Sequence, residues 1–259
     1  MISREILQGP KLKVQRANTH IDELTSLTDP LSQNLYTIKR NPLPPYANTF
    51  IGDLTYEPTK PIGETLALVI GDALHNLRGA LDHLATGIAR SQIHYPMVKK
   101  REDLLASTVG KKIPGFQRSL NSLDTALPGA KDLILNEIRP LNSPDEKLWS
   151  FHTLNNDDKH NLLIPTVTVT QVLFSATAIN GSASFQNCAA VRDATKPMVF
   201  FSSSTPFTLD RDIETNVSVK FGDGTPFKDY PVIPTLAKIA ELVTKTIDGF
   251  ERLISAQVP

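Results

Sequence analysis

The hydrophobic rhythm of this chain changes at Pro165, and no fold of a single class accommodates both halves. Upstream, Val14, Ala17, Ile21, Leu24, Leu27 and Leu31 recur at the three- and four-residue spacing of an amphipathic helix. Leu236, Ile239, Ala240, Val243, Ile247, Phe250 and Ile254 repeat that spacing near the C-terminus. Between them, TVTVTQVLF (166–174), PMVFF (197–201) and NVSVKF (216–221) alternate with period two and are rich in β-branched and aromatic residues. Side chains at the two periods sort onto faces in different ways, so the chain is read as α+β.

The expected architecture is a helical bundle with a small β-hairpin, an antiparallel β subdomain near the C-terminus and a returning C-terminal helix. The hairpin comes from LYTIKR (35–40) and DLTYE (53–57), joined by the proline-rich NPLPPYANTF, a loop or edge rather than a central strand. Asp29-Pro30 should break or kink the first helix. The next helix runs from after Pro61 to about Ser91, and residues 111–140 hold one or two more, interrupted at Pro128-Gly129. At Ser143, Ser-Pro-Asp-Glu supplies a capping box, and that helix ends before Pro165. Asn180-Gly181 and Asp223-Gly224 read as hairpin-type turns, and the last helix spans about Pro234 to Ser255. The domain division that follows is 1–165, mainly helical and carrying the polar motif; 166–232, the antiparallel β subdomain; and 233–259, a helix packing on the helical domain.

Charge narrows the partners. Lysine plus arginine and aspartate plus glutamate both total 27, so no global field favours nucleic acid or membrane. A local patch exists: Arg90, Lys99, Lys100, Arg101, Lys111, Lys112 and Arg118 face only Glu102 and Asp103 within 90–118. The single cysteine, Cys188, makes no intramolecular disulfide and points to a reducing compartment. No apolar run approaches the roughly 20 residues that span a bilayer, and MISREILQGPKLK lacks the apolar stretch of a signal peptide. A cytoplasmic location with no membrane contact is the expectation.

The stretch GDALHNLRGALDHL (71–84) carries the chemistry. On a helical projection Leu66, Ile70, Leu74, Leu77, Leu81, Leu84 and Ile88 fall within an arc of about 80° and form a core stripe. Opposite lie two polar rows, His75, Arg78 and Asp82 in one, Asp72, Asn76, Gly79 and His83 in the other. A wholly solvated face would draw on lysine, glutamate and glutamine, which keep better helix propensity. This face is therefore expected to pack on something. Arg78 and Asp82, four apart, can pair, and Gly79 leaves room for a backbone, a ring or a ligand. The helix from Ser143 offers a partner, because His152, Asn155, Asp158 and Lys159 share its apolar side with Leu148, Phe151, Leu154 and Leu162. Five of the six histidines fall between residues 75 and 160. Trp149 reads as a core aromatic.

Gly71, Asp72, Leu74, His75, Asn76, Leu77, Arg78, Leu81, Asp82 and His83, followed by Trp149 and Asp158-Lys159-His160, resemble the motifs of a widespread group of uncharacterised bacterial proteins. The Arg-x4-His arrangement of Arg78 and His83 is also similar to the HEPN superfamily, many of whose members are metal-independent ribonucleases of toxin and defence systems. That resemblance implies a homodimer that binds or cleaves RNA in a cleft. Arg78 would clamp phosphate and His83 would transfer protons. Asp82, His75, Asn76, Asp72, Asn155, Asp158, Lys159 and His160 would orient them, and Lys99, Lys100 and Arg101 would track the RNA backbone. No cofactor or metal is implied. Two other readings stay open. The motif could be a buried polar network that fixes helix register in a non-enzymatic framework or partner-binding protein. Alternatively, Asp72-x-x-His75 and Asp157-x-x-His160 have the spacing of a metal-dependent helical-bundle enzyme, although the projection turns Asp157 and His160 away from the core side.

Overall fold

A computed structural model of the chain describes residues 3–28, 36–42, 49–58, 64–99, 114–140, 148–160, 165–190, 197–210 and 213–257. In chain order these form a 3-10 turn (Arg4–Leu7), α1 (Gln8–Thr28), β1 (Tyr36–Lys39), β2 (Thr49–Pro58), α2 (Glu64–Ala89) and α3 (Pro114–Ala126). A short helical turn, Ala130–Asp132, continues as a π-helix, Leu133–Ile138, and is followed by α4 (Leu148–His160). Then come β3 (Thr166–Ala178), β4 (Ser184–Ala190), β5 (Met198–Leu209), β6 (Glu214–Lys220) and α5 (Val232–Ala256). The α+β class read from the two periodicities is the class observed. The capping box at Ser143, the Asp29-Pro30 break and the centre of NPLPPYANTF lie outside the described residues.

The chain divides into a helical unit (1–24, 67–163 and 223–259) and a β unit (25–66 and 164–222). Two expected boundaries shift as a result. The hairpin 35–57 does not belong to the helical domain, because β2 pairs antiparallel with β5 and so joins the strands from the C-terminal half in one sheet. A lone two-stranded hairpin is marginal in water, and extending a larger sheet satisfies its open edge. Residues 223–231 leave the β subdomain for the helical unit, where Phe227 is buried.

The leucine stripe of α2 does what its spacing predicts: Leu66, Ile70, Leu74, Leu77, Leu81, Leu84 and Ile88 are all buried, the last six of them in the helical unit. Ala73, Ala80 and Ala85 are buried beside it, so the apolar face is wider than the stripe. α2 ends where Arg90 turns to a φ of 51°, the left-handed conformation that closes many helices. Gly129, at a φ of 91°, makes the break after α3. α5 is tied into this unit by Lys11 Nζ to Glu251 Oε2 at 2.7 Å and by Arg4 to Ser255 Oγ at 2.8 Å. Arg252 reaches Glu137 Oε2 at 3.1 Å. Its apolar residues at 236, 239, 240, 243, 247, 250 and 254 are all buried. Among the described residues no helix is long and apolar enough to cross a membrane.

In the β unit six antiparallel strands run β1-β2-β5-β3-β4, with β6 also on β3. Asn180-Gly181 links β3 to β4 as expected, with Gly181 at a φ of 70° and the Ser182 N–H donating to Asn180 Oδ1 at 3.0 Å. Asp223-Gly224 is a turn as well, but it leads from β6 toward α5 and joins no paired strands. Phe50, Leu54, Phe174, Ala176, Ala178, Phe207 and Leu209 form the core of this unit, with Phe200 and Phe201 packed against it.

Leu81 is fully buried in α2 and Leu68, on the same helix, is 60% exposed. Leu81→Ala is expected to cost about 2–5 kcal/mol in urea unfolding and Leu68→Ala less than about 0.5 kcal/mol.

Candidate functional site

The polar face of α2 is shared among three neighbours, all within the helical unit. The first is α4. Asn155, fully buried there, holds His75 Nδ1 to its Oδ1 at 2.8 Å, and His75 Nε2 lies 3.4 Å from Asp158 Oδ2. The Asp158 carboxylate rests directly on Gly71, where an added Cβ would come within 2.5 Å of Oδ2. A helix interior gives up propensity at Gly71 because only glycine lets that carboxylate in.

The second neighbour is α1. Lys13 Nζ donates to Asn76 Oδ1 at 3.5 Å, while Asn76 Nδ2 donates back to the Asp72 carbonyl at 2.9 Å. The space expected over Gly79 is taken by the stem of Lys13, whose Cδ and Cε lie 3.9 Å from where a Cβ would stand. Asp72 itself is exposed.

The third neighbour is an extended segment, residues 92–98, and it claims the centre of the motif. Arg78 Nη2 donates to Asp82 Oδ1 at 2.8 Å and to the Tyr95 carbonyl at 3.3 Å. The Tyr95 N–H donates to the same Asp82 oxygen at 2.8 Å, and Arg78 Nη1 reaches Met97 Sδ at 3.1 Å. Thr86 Oγ1 donates to the Ile93 carbonyl at 3.1 Å. The segment thus satisfies buried main-chain groups through side chains of one helix, where a strand would use a neighbouring strand. Tyr95 is buried with its ring 6.4 Å from that of Phe250, edge to face. Burial pushes its hydroxyl far above the usual range, and Oη has no hydrogen-bond partner among the described residues.

Beside this clamp opens a cleft of about 450 Å³. Arg78 and Asp82 line it together with His94, Arg118, His152 and Lys159. Burial lowers the Arg78 pKa, against the opposing pull of Asp82. Burial, then Arg78, depress His152 to about 4, so its imidazole is neutral at ordinary pH. Asn156 Nδ2 donates to His152 Nε2 at 3.2 Å, which leaves the ring proton on Nδ1. Arg118 and Lys159 are exposed and form no ion pair among the described residues. Trp149 is half-buried, its ring 5.2 Å from that of His152.

His83 stands apart. It is exposed and lines a second hollow, of about 690 Å³, with Ile6, Gly9, Pro10 and Thr86. Arg78 does not line that hollow, so within one chain the two residues of the Arg-x4-His pattern open into different spaces. Five residues on a helix separate side chains by about 140°, which is the physical reason. Lys99 is exposed, while Lys100, Arg101 and the side chain of His160 lie outside the described residues. Among the described residues no three His, Cys, Asp or Glu side chains are grouped to hold a metal ion. Tyr95, Met97 and Asn156 carry no signal as site residues in the sequence, and His94 carries only its place among the five histidines between residues 75 and 160. The one usable cue is the short stretch IHYPMV (93–98), apolar and proline-containing, immediately after a helix whose polar face needs partners.

Comparison of the chain with protein-family models, with characterised proteins and with solved structures gives no match.

Two outcomes follow from this geometry. Gly71→Ala should lower stability by about 1–3 kcal/mol in urea unfolding, since the Asp158 carboxylate cannot keep its seat. His152 takes up a proton near 6.5 when unfolded but only near 4 when folded. Stability from this residue is therefore complete above pH 6.5 and lost as the pH falls toward 4. Allowing for its partial exposure, the loss should be about 1–2 kcal/mol. His152→Gln should flatten that part of the stability–pH curve.

Proposed function

We propose that the chain binds RNA, with the phosphodiester backbone seated in the cleft beside Arg78. One observation carries this reading. Among the described residues Asp82 is the only carboxylate lining the cleft and is already matched by Arg78, while Arg118 and Lys159 line it with no ion pair among the described residues. Two cations without carboxylate partners suit an anionic polymer, whose phosphates displace counterions when they bind. The exposed His94 adds a ring that can hydrogen-bond a nucleotide, and the neutral His152 adds no charge to oppose it. RNA is also the ligand that the likeness of Arg78 and His83 to the HEPN arrangement implies.

A second reading, the non-enzymatic framework, is favoured by the way Arg78 is committed. Its Nη2 serves Asp82 and Tyr95, its Nη1 serves Met97, and the residue is only 6% exposed. In that reading the motif anchors the 92–98 segment and the surface it supports meets a protein partner. The two readings differ in what Arg118 and Lys159 do, because a framework has no use for them.

Fluorescence anisotropy with a labelled single-stranded RNA separates the two. Arg118→Ala and Lys159→Ala should each weaken binding several-fold and reduce the slope of log affinity against log salt by about one. Wild-type affinity and slope in the double variant would reject the cleft as the RNA site.

A further inference from the structure

Resting on RNA as the ligand of the cleft, we infer that the second hollow is a nucleobase subsite of the same RNA site, where His83 and Gln92 contact a base of the strand whose phosphates lie along Arg118 and Lys159. The two cavities are neighbours. Asp82, Gln92, Ile93 and His94 line both, so a strand seated in the cleft reaches the hollow across a shared rim. An RNA strand carries two chemistries, an anionic backbone and flat bases with uncharged edges. The cavities differ in the same way. Arg118 and Lys159 line the cleft, whereas no lysine or arginine lines the hollow among the described residues. Asp82 borders both spaces, but Arg78, which pairs with it at 2.8 Å, lines only the cleft. On the side of the hollow the carboxylate therefore disfavours a phosphate and leaves the space to an uncharged group.

The lining of the hollow has the mixture a base requires, apolar surface for its faces and hydrogen-bonding groups for its edge. Ile6, Pro10 and Ile93 supply the apolar part. Gly9 and Gly87 let α1 and the 3-10 turn come close to α2: a Cβ at Gly87 would stand 3.4 Å from Ile6 Cβ, and one at Gly9 would stand 3.4 Å from His83 Nδ1. The His83 ring thus rests against the first turn of α1, and an imidazole so placed offers an aromatic surface on which a base can stack. Gln92 is exposed and forms no hydrogen bond among the described residues, so its carboxamide keeps both a donor and an acceptor for a base edge. Thr86, by contrast, has already given its hydroxyl proton to the Ile93 carbonyl. At about 690 Å³ the hollow is of the size that takes small molecules.

This assignment gives Arg78 and His83 one ligand although they open into different spaces. The cleft that Arg78 lines takes the backbone, and the hollow that His83 lines takes a base of the same strand. A base enters only from an unpaired stretch, since a duplex keeps its bases stacked and paired. The subsite adds affinity without adding a phosphate contact, so its loss weakens binding and leaves the salt dependence as it was. That signature is the opposite of the one expected for Arg118 and Lys159, whose loss lowers the salt slope.

The experiment uses the full chain and two labelled probes followed by fluorescence anisotropy: a single-stranded RNA, and an abasic backbone with the same number of phosphates in which tetrahydrofuran replaces every ribose and base. The wild type should bind the RNA at least about fivefold more tightly than the abasic backbone. His83 and Gln92 are both exposed, so replacing them leaves the core intact. In the double variant His83→Ala, Gln92→Ala that preference should fall at least about fivefold, while affinity for the abasic backbone stays within about twofold and the salt slope is unchanged. Equal binding of the two probes by the wild type, or a double variant that keeps the full preference, overturns the base subsite and leaves the RNA-binding reading standing. Failure to bind either probe overturns both.

Discussion

The helical unit is organised around one charge-assisted contact: the Arg78–Asp82 pair on α2, closed against the main chain of Tyr95. A buried stretch outside any helix or sheet must still place its N–H and C=O groups, since leaving one without a partner costs about 1–3 kcal/mol. Here α2 supplies an acceptor for the N–H and a donor for the C=O, from two side chains one turn apart. The buried guanidinium is in turn compensated by the half-buried Asp82 carboxylate and by the Tyr95 carbonyl, which is the condition under which a buried charge is tolerated. With the segment held, Tyr95 packs on Phe250 of α5, and the Val98 N–H reaches the Pro140 carbonyl at 3.2 Å.

The same contact shapes the cleft. Because Arg78 is spent on Asp82, Tyr95 and Met97, it lines the cleft as a paired group, while Arg118 and Lys159 line it exposed and with no ion pair among the described residues. Because Asp82 has one oxygen left over, His94 acquires a fixed carboxylate beside it. One carboxylate thus anchors the 92–98 segment through Oδ1 and meets the His94 ring through Oδ2. On the neighbouring part of the motif face, Gly71, His75, Asn155 and Asp158 set how closely α2 and α4 approach.

Much of this could be read before any coordinates. The leucine stripe, the Arg78–Asp82 pair and the need of the polar face for a partner follow from helical spacing and from the poor propensity of glycine, asparagine and aspartate in a wet helix. That α4 turns Asn155 and Asp158 toward the polar face of α2 follows from its own projection, and in the structure both meet His75. What spacing could not supply is which partner meets which residue. Periodicity reports a face and not its neighbour, so the occupant of the space at Gly79, a lysine stem from α1, had no signature. A main-chain acceptor such as the Tyr95 carbonyl leaves no trace in residue type. The Arg-x4-His pattern points to His83, yet 140° of helical rotation, roughly what five residues impose, sends it to another hollow, and the imidazole that meets the motif carboxylate comes from outside the helix. Local pattern groups the hairpin of β1 and β2 with the helices, because strand pairing over some 150 residues of chain is invisible to it.

Amide hydrogen exchange at Tyr95 tests the clamp most directly. If Asp82 and Arg78 hold the segment as described, the Tyr95 N–H exchanges as slowly as amides in the middle of α2, and Asp82→Ala speeds it by about 100-fold while the α2 amides change far less. A Tyr95 amide that exchanges in the wild type as fast as those of exposed loops, or that is indifferent to loss of the Asp82 carboxylate, would contradict the account.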